Sequence, residues 1–197
     1  MSQSVVPSLH TDFLTSLIGC SVTNVKRQIY WNDWNLPDFE QEGDGITELS
    51  FDNGDRLTIE HDTSLNVLIK PGAMPIYGDG KFFIFREVTG NDFWQARISQ
   101  KIVRFVILHY DSPVAIMKYE GRKFRQKTEA TRRSEFGLQI DFENQTSVVF
   151  LDAMAVDSEE TDALVIAAEY DAENEVDASI EMSSEHNSFY YERIIIQ

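Results

Sequence analysis

Hydrophobic positions along this chain follow a brief helical spacing and then a long alternating one, and the sequence passes through that pattern twice. Near the start, Phe13, Leu14, Leu17 and Ile18 fall on one helical face, behind Thr11 as N-cap and ahead of Gly19 as a stop. Phe93, Trp94 and Ile98 repeat the face behind Asn91, with Ser99 in the place of the glycine. Both passages predict helices of two turns at most.

Strand signals fill most of the remaining chain. Residues 22–31 and 102–110 are long runs rich in β-branched and aromatic side chains. Leu49, Phe51, Leu57 and Ile59 alternate on either side of Asp52-Asn53-Gly54-Asp55, where Asn53-Gly54 predicts a tight two-residue hairpin. The corresponding Asn144-Gln145 is a weaker turn signal. Further strands are expected over 65–70, 81–88, 163–170 and 188–196. Pro71-Gly72 and Gly78-Asp79-Gly80 bracket a loop.

The two passages align with a growing offset. Asp12-Phe13-Leu14, Ile18, Val22, Val25 and Tyr30 recur 80 residues on as Asp92-Phe93-Trp94, Ile98, Ile102, Phe105 and Tyr110. Leu49 to Asn53, with Leu57 and Ile59, recur at +91 as Ile140 to Asn144, with Val148 and Phe150. Val67-Leu68-Ile69 match Leu164-Val165-Ile166 at +97, and Phe82-Phe83 match Phe189-Tyr190 at +107. Added length tolerated between matched runs belongs in loops, because closing a longer loop costs little. The expected fold is therefore mainly β: two tandem related halves, residues 11–88 and 91–196, each a short helix followed by an antiparallel meander. A lone meander leaves one apolar face wet. No Pro/Ser-rich linker separates the halves, so they are expected to pack as one pseudo-symmetric body.

Composition narrows the function classes. The 197 residues are long enough for a sizeable core, and 42% hydrophobic with 25% charged residues is ordinary globular usage. No apolar run approaches a membrane span, and the start lacks the basic and apolar regions of a secretory signal, so no membrane association is expected. Cys20 is the single cysteine, which excludes an internal disulfide and fits a reducing compartment; the expected location is cytoplasmic. A net charge of −16 disfavours nucleic acid as a general partner and favours encounter with basic ones.

That charge is unevenly placed. Residues 32–45 hold Asp33, Asp38, Glu40, Glu42 and Asp44 with no base. The related stretch 118–133, read as a loop, carries Lys118, Arg122, Lys123, Arg125, Lys127, Arg132 and Arg133 against Glu120 and Glu129. It has a local net charge of +5, which leaves −21 for the rest. Three roles compete for it: a solvated loop over the protein's own acids, a contact for an acidic partner or neighbouring copy, or a nucleic-acid contact using Tyr119 and Phe124. Residues 152–192 hold thirteen acids and no lysine or arginine, yet Leu164-Val165-Ile166 and the run from Tyr190 interrupt them with strand signals.

Catalytic motifs are missing. There is no phosphate-cradling glycine loop, nucleophile elbow, H-E-x-x-H or cysteine pair. Glu60-His61-Asp62 would alternate across a strand, a poor arrangement for one metal, and His109 sits in an apolar run as a structural histidine. Asp52-Asn53-Gly54-Asp55 lacks the spacing and terminal glutamate of a calcium loop. No catalytic residue, metal site or cofactor is expected.

The sequence therefore points to a non-enzymatic acidic binding or inhibitor protein engaging a basic protein partner, such as an immunity protein against a nuclease-like toxin. Its candidate contacts are Trp34 and Phe39 as aromatic anchors and the acids Asp157, Glu159, Glu160, Asp171, Glu173, Glu175 and Asp177. One alternative is an assembly protein that self-associates through oppositely charged loops, the basic one contributing Lys118, Arg122, Lys123, Arg125, Arg132 and Arg133. The other is an enzyme with carboxylate chemistry in a cleft between the halves.

Overall fold

A computed structural model describes residues 10–30, 45–62, 66–75, 83–120, 123–152, 164–167 and 190–197. Within them the chain is mainly β, as the alternating pattern requires. Helix α1 (Thr11–Ser16) leads into strands β1 (Val22–Tyr30), β2 (Gly45–Phe51), β3 (Arg56–Asp62), β4 (Asn66–Pro71) and β5 (Phe83–Glu87). Helix α2 (Asp92–Gln95) leads into β6 (Ile102–Glu120), β7 (Lys123–Phe142), β8 (Ser147–Asp152), β9 (Leu164–Ala167) and β10 (Tyr190–Ile196). The strands form two antiparallel sheets, ordered β4-β3-β2-β1-β5 and β9-β8-β7-β6-β10. Each is a meander whose last strand returns to the free side of its first.

The register agrees over the first rungs of the two sheets. Val22 pairs with Phe51, then a bulge shifts the ladder to Asn24 with Ser50 and Val25 with Leu49. In the second sheet Ile102 pairs with Phe142, and a bulge at the same step leads to Arg104 with Asp141 and Phe105 with Ile140. Leu49 faces Leu57 where Ile140 faces Val148. Ile59 faces Ile69 where Phe150 faces Ile166, so the +91 and +97 alignments fall in register. The +107 alignment does not. Tyr30 faces Phe83 and Tyr110 faces Tyr191, an offset of 108, so aromatic matching alone slipped by one residue.

Two local expectations are corrected. Helix α1 is capped at His10 without a side-chain bond, and Thr11 is its first residue. Asn91 does cap α2, its side-chain oxygen accepting the Trp94 N–H at 2.8 Å. The β2–β3 connection is not a two-residue turn. Phe51 N–H donates to the Asp55 carbonyl (3.0 Å), Gly54 N–H donates to the Phe51 carbonyl (3.1 Å), and Gly54 sits at φ +88°. This three-residue loop ends in a left-handed residue, the form that follows a type I turn with a bulge. Phe142, Thr146 and Gln145 make the same bonds at 2.9 and 3.0 Å, with Gln145 at φ +66°. Asn53 and Asn144 each accept the amide two residues on, at 2.9 and 3.1 Å.

The sheets meet where β1 and β6 begin. Ser21 and Lys101 form an antiparallel bridge. Around it, Gly19 N–H donates to the Ile102 carbonyl (2.8 Å), Ser99 N–H to the Val22 carbonyl (2.9 Å) and Ile102 N–H to the Cys20 carbonyl (2.9 Å). One hydrophobic cluster fills the space between the sheets. Leu14, Val25, Leu49, Leu57 and Ile59 from the first passage join Trp94, Phe105, Ile140, Val148 and Phe150 from the second. Trp94 lies 6.3 Å from Phe150, centroid to centroid, and edge-on to Phe93 at 5.3 Å. Such burial is the main favourable contribution to folding, about 25 cal/mol per Å² of apolar surface.

Candidate interaction surfaces

The largest departure from the sequence reading is the basic stretch. It is not a loop: β6 and β7 run 19 and 20 residues and pair continuously from Ile102 with Phe142 to Glu120 with Lys123. Strand β10 accompanies β6 only as far as Asp111, and β8 accompanies β7 only between Gly137 and Asp141. Beyond them the two strands continue, among the described residues, as a two-stranded ribbon with Lys118, Lys123, Arg125 and Arg132 in its ladder. Nine residues at about 3.3 Å each carry it roughly 30 Å past the third strand. Lys118 stands opposite Arg125, Tyr119 opposite Phe124 and Glu120 opposite Lys123. A bulge between Ile116 and Met117 bends the ladder near its end. Strand-forming residues on either side of Asp111-Ser112-Pro113, residues 102–110 and 114–119, are the signal available in sequence. The charge density of the stretch masked it.

The outer faces of the two sheets differ in chemistry. In the first sheet Gln28, Glu48, Thr58 and Glu60 are buried. Glu48 accepts the Met74 N–H at 2.7 Å and pairs with Arg56 at 3.4 Å; Glu60 pairs with Lys70. Thr58 donates to the Gly72 carbonyl at 2.9 Å, so the turn after β4 is tied down across this face. In the second sheet the counterparts of Gln28, Thr58 and Glu60 are apolar: Leu108, Val149 and Leu151 are buried, with Val106, around Gly137, while Gln139 stands at the counterpart of Glu48. A Cβ on Gly137 would lie 2.9 Å from both the Leu108 and Leu151 methyls and 3.2 Å from the Phe150 carbonyl. The inner rows diverge in the opposite sense. Arg27 is fully buried opposite Thr47, where the second sheet has Ile107 opposite Leu138. Alternation placed Glu48 and Glu60 on the face opposite Leu49 and Ile59, but not their burial.

Ionisable groups in the described body serve mainly to tie backbone and strands. Asp141 accepts from Arg104 at 2.5 Å, from Gln139 at 2.6 Å and from the Ser147 hydroxyl at 2.7 Å. Arg97 is buried at the position that Leu17 occupies in α1's turn. It donates to the Ser147 carbonyl at 2.6 Å and to the Phe93 carbonyl, with its guanidinium 3.9 Å above the Phe93 ring. Burial draws its pKa below the ordinary arginine value, though it remains a cation at neutral pH. Burial pushes the Cys20 thiol up, and the nearby Asp52 and Asp55 push it further, opposite to what a nucleophilic thiol needs. His109 is fully buried in β6. Among the described residues no three His, Cys, Asp or Glu side chains gather as a metal site, and no helix is long and apolar enough to cross a membrane.

The remaining predicted contacts, Trp34, Phe39, Asp157, Glu159, Glu160, Asp171, Glu173, Glu175, Asp177 and Arg122, lie outside the described residues. Their attachment points do not. The acid-rich stretches 153–163 and 168–189 join β8 to β9 and β9 to β10, and hold eleven acids with no lysine or arginine. Compared with protein-family models, with curated proteins and with solved structures, this chain finds no match.

Proposed function

We propose that this chain is a non-enzymatic acidic binding protein that engages a basic protein partner, with an immunity protein against a nuclease-like toxin as the kind of role this chemistry fits. The observation that carries the reading is where the acids are mounted. Both acid-rich connections are anchored at each end in paired strands, β8 with β9 and β10 with β6. A concentrated negative charge raises the encounter rate with a cation-rich surface. The space between the sheets is filled by aliphatic and aromatic side chains, which favours a surface-binding role over chemistry in an inter-sheet cleft.

The body that presents this charge is, in our reading, two related halves fused into one pseudo-symmetric unit, residues 11–88 and 91–196. Identical strand order, a bulge at the same ladder step, and left-handed residues at Gly19 and Ser99, and at Gly54 and Gln145, support it. On that reading the halves parted in charge, not in reactive groups.

The binding role is tested by capture from lysate on the full chain at low salt, with bound proteins identified by mass spectrometry. A basic protein should be retained, released by salt, and lost when Asp171, Glu173 and Glu175 are reversed to lysine. Retention that is indifferent to those reversals removes the proposal.

A further inference from the structure

We propose that Asn53-Gly54 is a self-modification site, an asparagine that deamidates through the amide of the glycine after it, and that the folded β2–β3 hairpin holds the reaction off. This inference is independent of the binding role. Both residues are exposed to water, and the pair is reactive for a steric reason. Glycine carries no Cβ, so its amide nitrogen approaches the preceding side chain unobstructed. In the reaction that nitrogen loses its proton to solvent and attacks Asn53 Cγ. The N–Cγ bond forms, the Cγ–Nδ2 bond breaks, and ammonia departs to leave a cyclic succinimide. Water then opens the ring. Attack at Cγ gives aspartate; attack at the main-chain carbonyl gives isoaspartate, whose backbone runs through the former side chain and is longer by a methylene. Water enters and ammonia leaves, with no change of oxidation state.

In the folded hairpin both reacting groups are engaged elsewhere. The Gly54 N–H donates to the Phe51 carbonyl at 3.1 Å, so the proton that must leave is held. Asn53 Oδ1 accepts the Asp55 N–H at 2.9 Å, and Asn53 Nδ2 donates to the Asp55 carboxylate at 2.8 Å. The carboxamide is tied to Asp55 and not free to swing onto the Gly54 nitrogen. Asp52 and Asp55 add negative charge, which opposes taking a proton from the amide between them. Opening the turn releases these bonds together, so the reaction follows the population of the open hairpin. The related hairpin serves as an internal comparison. Asn144 accepts the Thr146 N–H at 3.1 Å and donates to the Ala96 carbonyl at 2.7 Å, but Gln145 follows it, and a side chain beside the attacking nitrogen hinders it.

Conversion at Asn53 reaches the junction of the sheets. Neighbouring Asp52 donates its N–H to the Ser21 carbonyl at 3.0 Å and accepts the Ser21 N–H on Oδ1 at 3.1 Å, and Ser21 bridges to Lys101. An added methylene lengthens the loop and draws Asp52 out of that register. The site therefore records each opening irreversibly and makes the next one easier.

The full chain, incubated at mildly alkaline pH both folded and in denaturing urea, tests this by peptide mass spectrometry with isoaspartate scored separately. Asn53 should convert in urea and about tenfold or more slowly in the folded chain, with Asn144 lagging behind it in both. Asp55→Ala, which removes the carboxylate holding Nδ2, should speed conversion in the folded chain and leave the rate in urea unchanged. Chains converted to isoaspartate at Asn53 should unfold at lower urea than the parent. No conversion in urea, equal rates in the folded and unfolded chain, or Asn144 keeping pace with Asn53 overturns the proposal. Should Asp55→Ala fail to fold, the parent in and out of urea still decides.

Discussion

Gly19 and Ser99 hold the same left-handed backbone conformation, with φ of +82° and +63°, and each donates its amide to the strand that succeeds the other. Gly19 reaches the Ile102 carbonyl at 2.8 Å and Ser99 the Val22 carbonyl at 2.9 Å. The turn after each helix therefore clamps the two sheets together at the point where β1 and β6 begin. The left-handed conformation is a requirement of the clamp, and only Gly19 meets it without steric cost.

That difference yields the first prediction. Ser99 and Gln145 occupy the conformation that Gly19 and Gly54 adopt freely, and for an L-residue it costs about 1–2 kcal/mol. Glycine restores this while losing about 0.5–1 kcal/mol of unfolded-chain freedom. Ser99→Gly and Gln145→Gly should each raise stability by about 0.5 kcal/mol. Gly19→Ala and Gly54→Ala should lower it by more. Urea midpoints of the four variants check the signs.

Gly137 has the opposite problem, crowding instead of conformation. Buried Leu108 and Leu151 methyls already occupy the space a side chain would take. Gly137→Val should destabilise by about 1–3 kcal/mol, as overpacked cores do. The double variant with Leu108→Ala should recover part of the loss. A denaturant titration showing no recovery would mean that the backbone contact to Phe150, not the leucines, sets the limit.

Arg97 stands where α1's turn has Leu17, yet it bonds two carbonyls and covers Phe93. Arg97→Ala should lose about 2–4 kcal/mol, since it leaves a cavity and two unsatisfied carbonyls. Arg97→Leu should lose less because it refills the volume. Comparing the two melts separates packing from hydrogen bonding.

Cys20 should resist alkylation. Its pKa is raised first by burial and then by Asp52 and Asp55. Iodoacetamide should label the folded chain more slowly than the unfolded chain at about pH 8, near the ordinary thiol pKa, and the folded rate should reach its midpoint at higher pH. The raised pKa also contributes to stability. That contribution is complete below the unfolded thiol's pKa and is lost as pH rises through the folded one, so urea midpoints should fall on the alkaline side. Asp52→Asn should move the labelling midpoint back toward neutrality.

Much of the fold was legible in the chain, for a physical reason. A strand buried on one face must alternate, so Leu49, Phe51, Leu57 and Ile59 announced both their strands and their core side, and the +91 and +97 offsets landed in register. Asn91 announced its cap because an amide acceptor at that position is a local matter. What failed was non-local. Phe82-Phe83 and Phe189-Tyr190 look alike as aromatic pairs, but register is decided by the neighbouring strand, and that neighbour places the match one residue further. A cluster of bases reads as a solvated loop when hydrophobicity is the only guide. A two-stranded ladder is held by backbone hydrogen bonds that charged residues make as readily as apolar ones, so 111–120 and 123–134 pair as strands despite their charge.

The sequence by itself determined the β class, the two short helices and the separation of positive from negative charge, because these rest on periodicity, local capping and simple count. Tertiary structure alone decided that Glu48, Glu60, Arg27 and Arg97 are buried, that Gly137 admits no side chain, and that the basic stretch extends as a ribbon. Each of those depends on which segments lie across from it. Distance in the chain carries no record of distance in space.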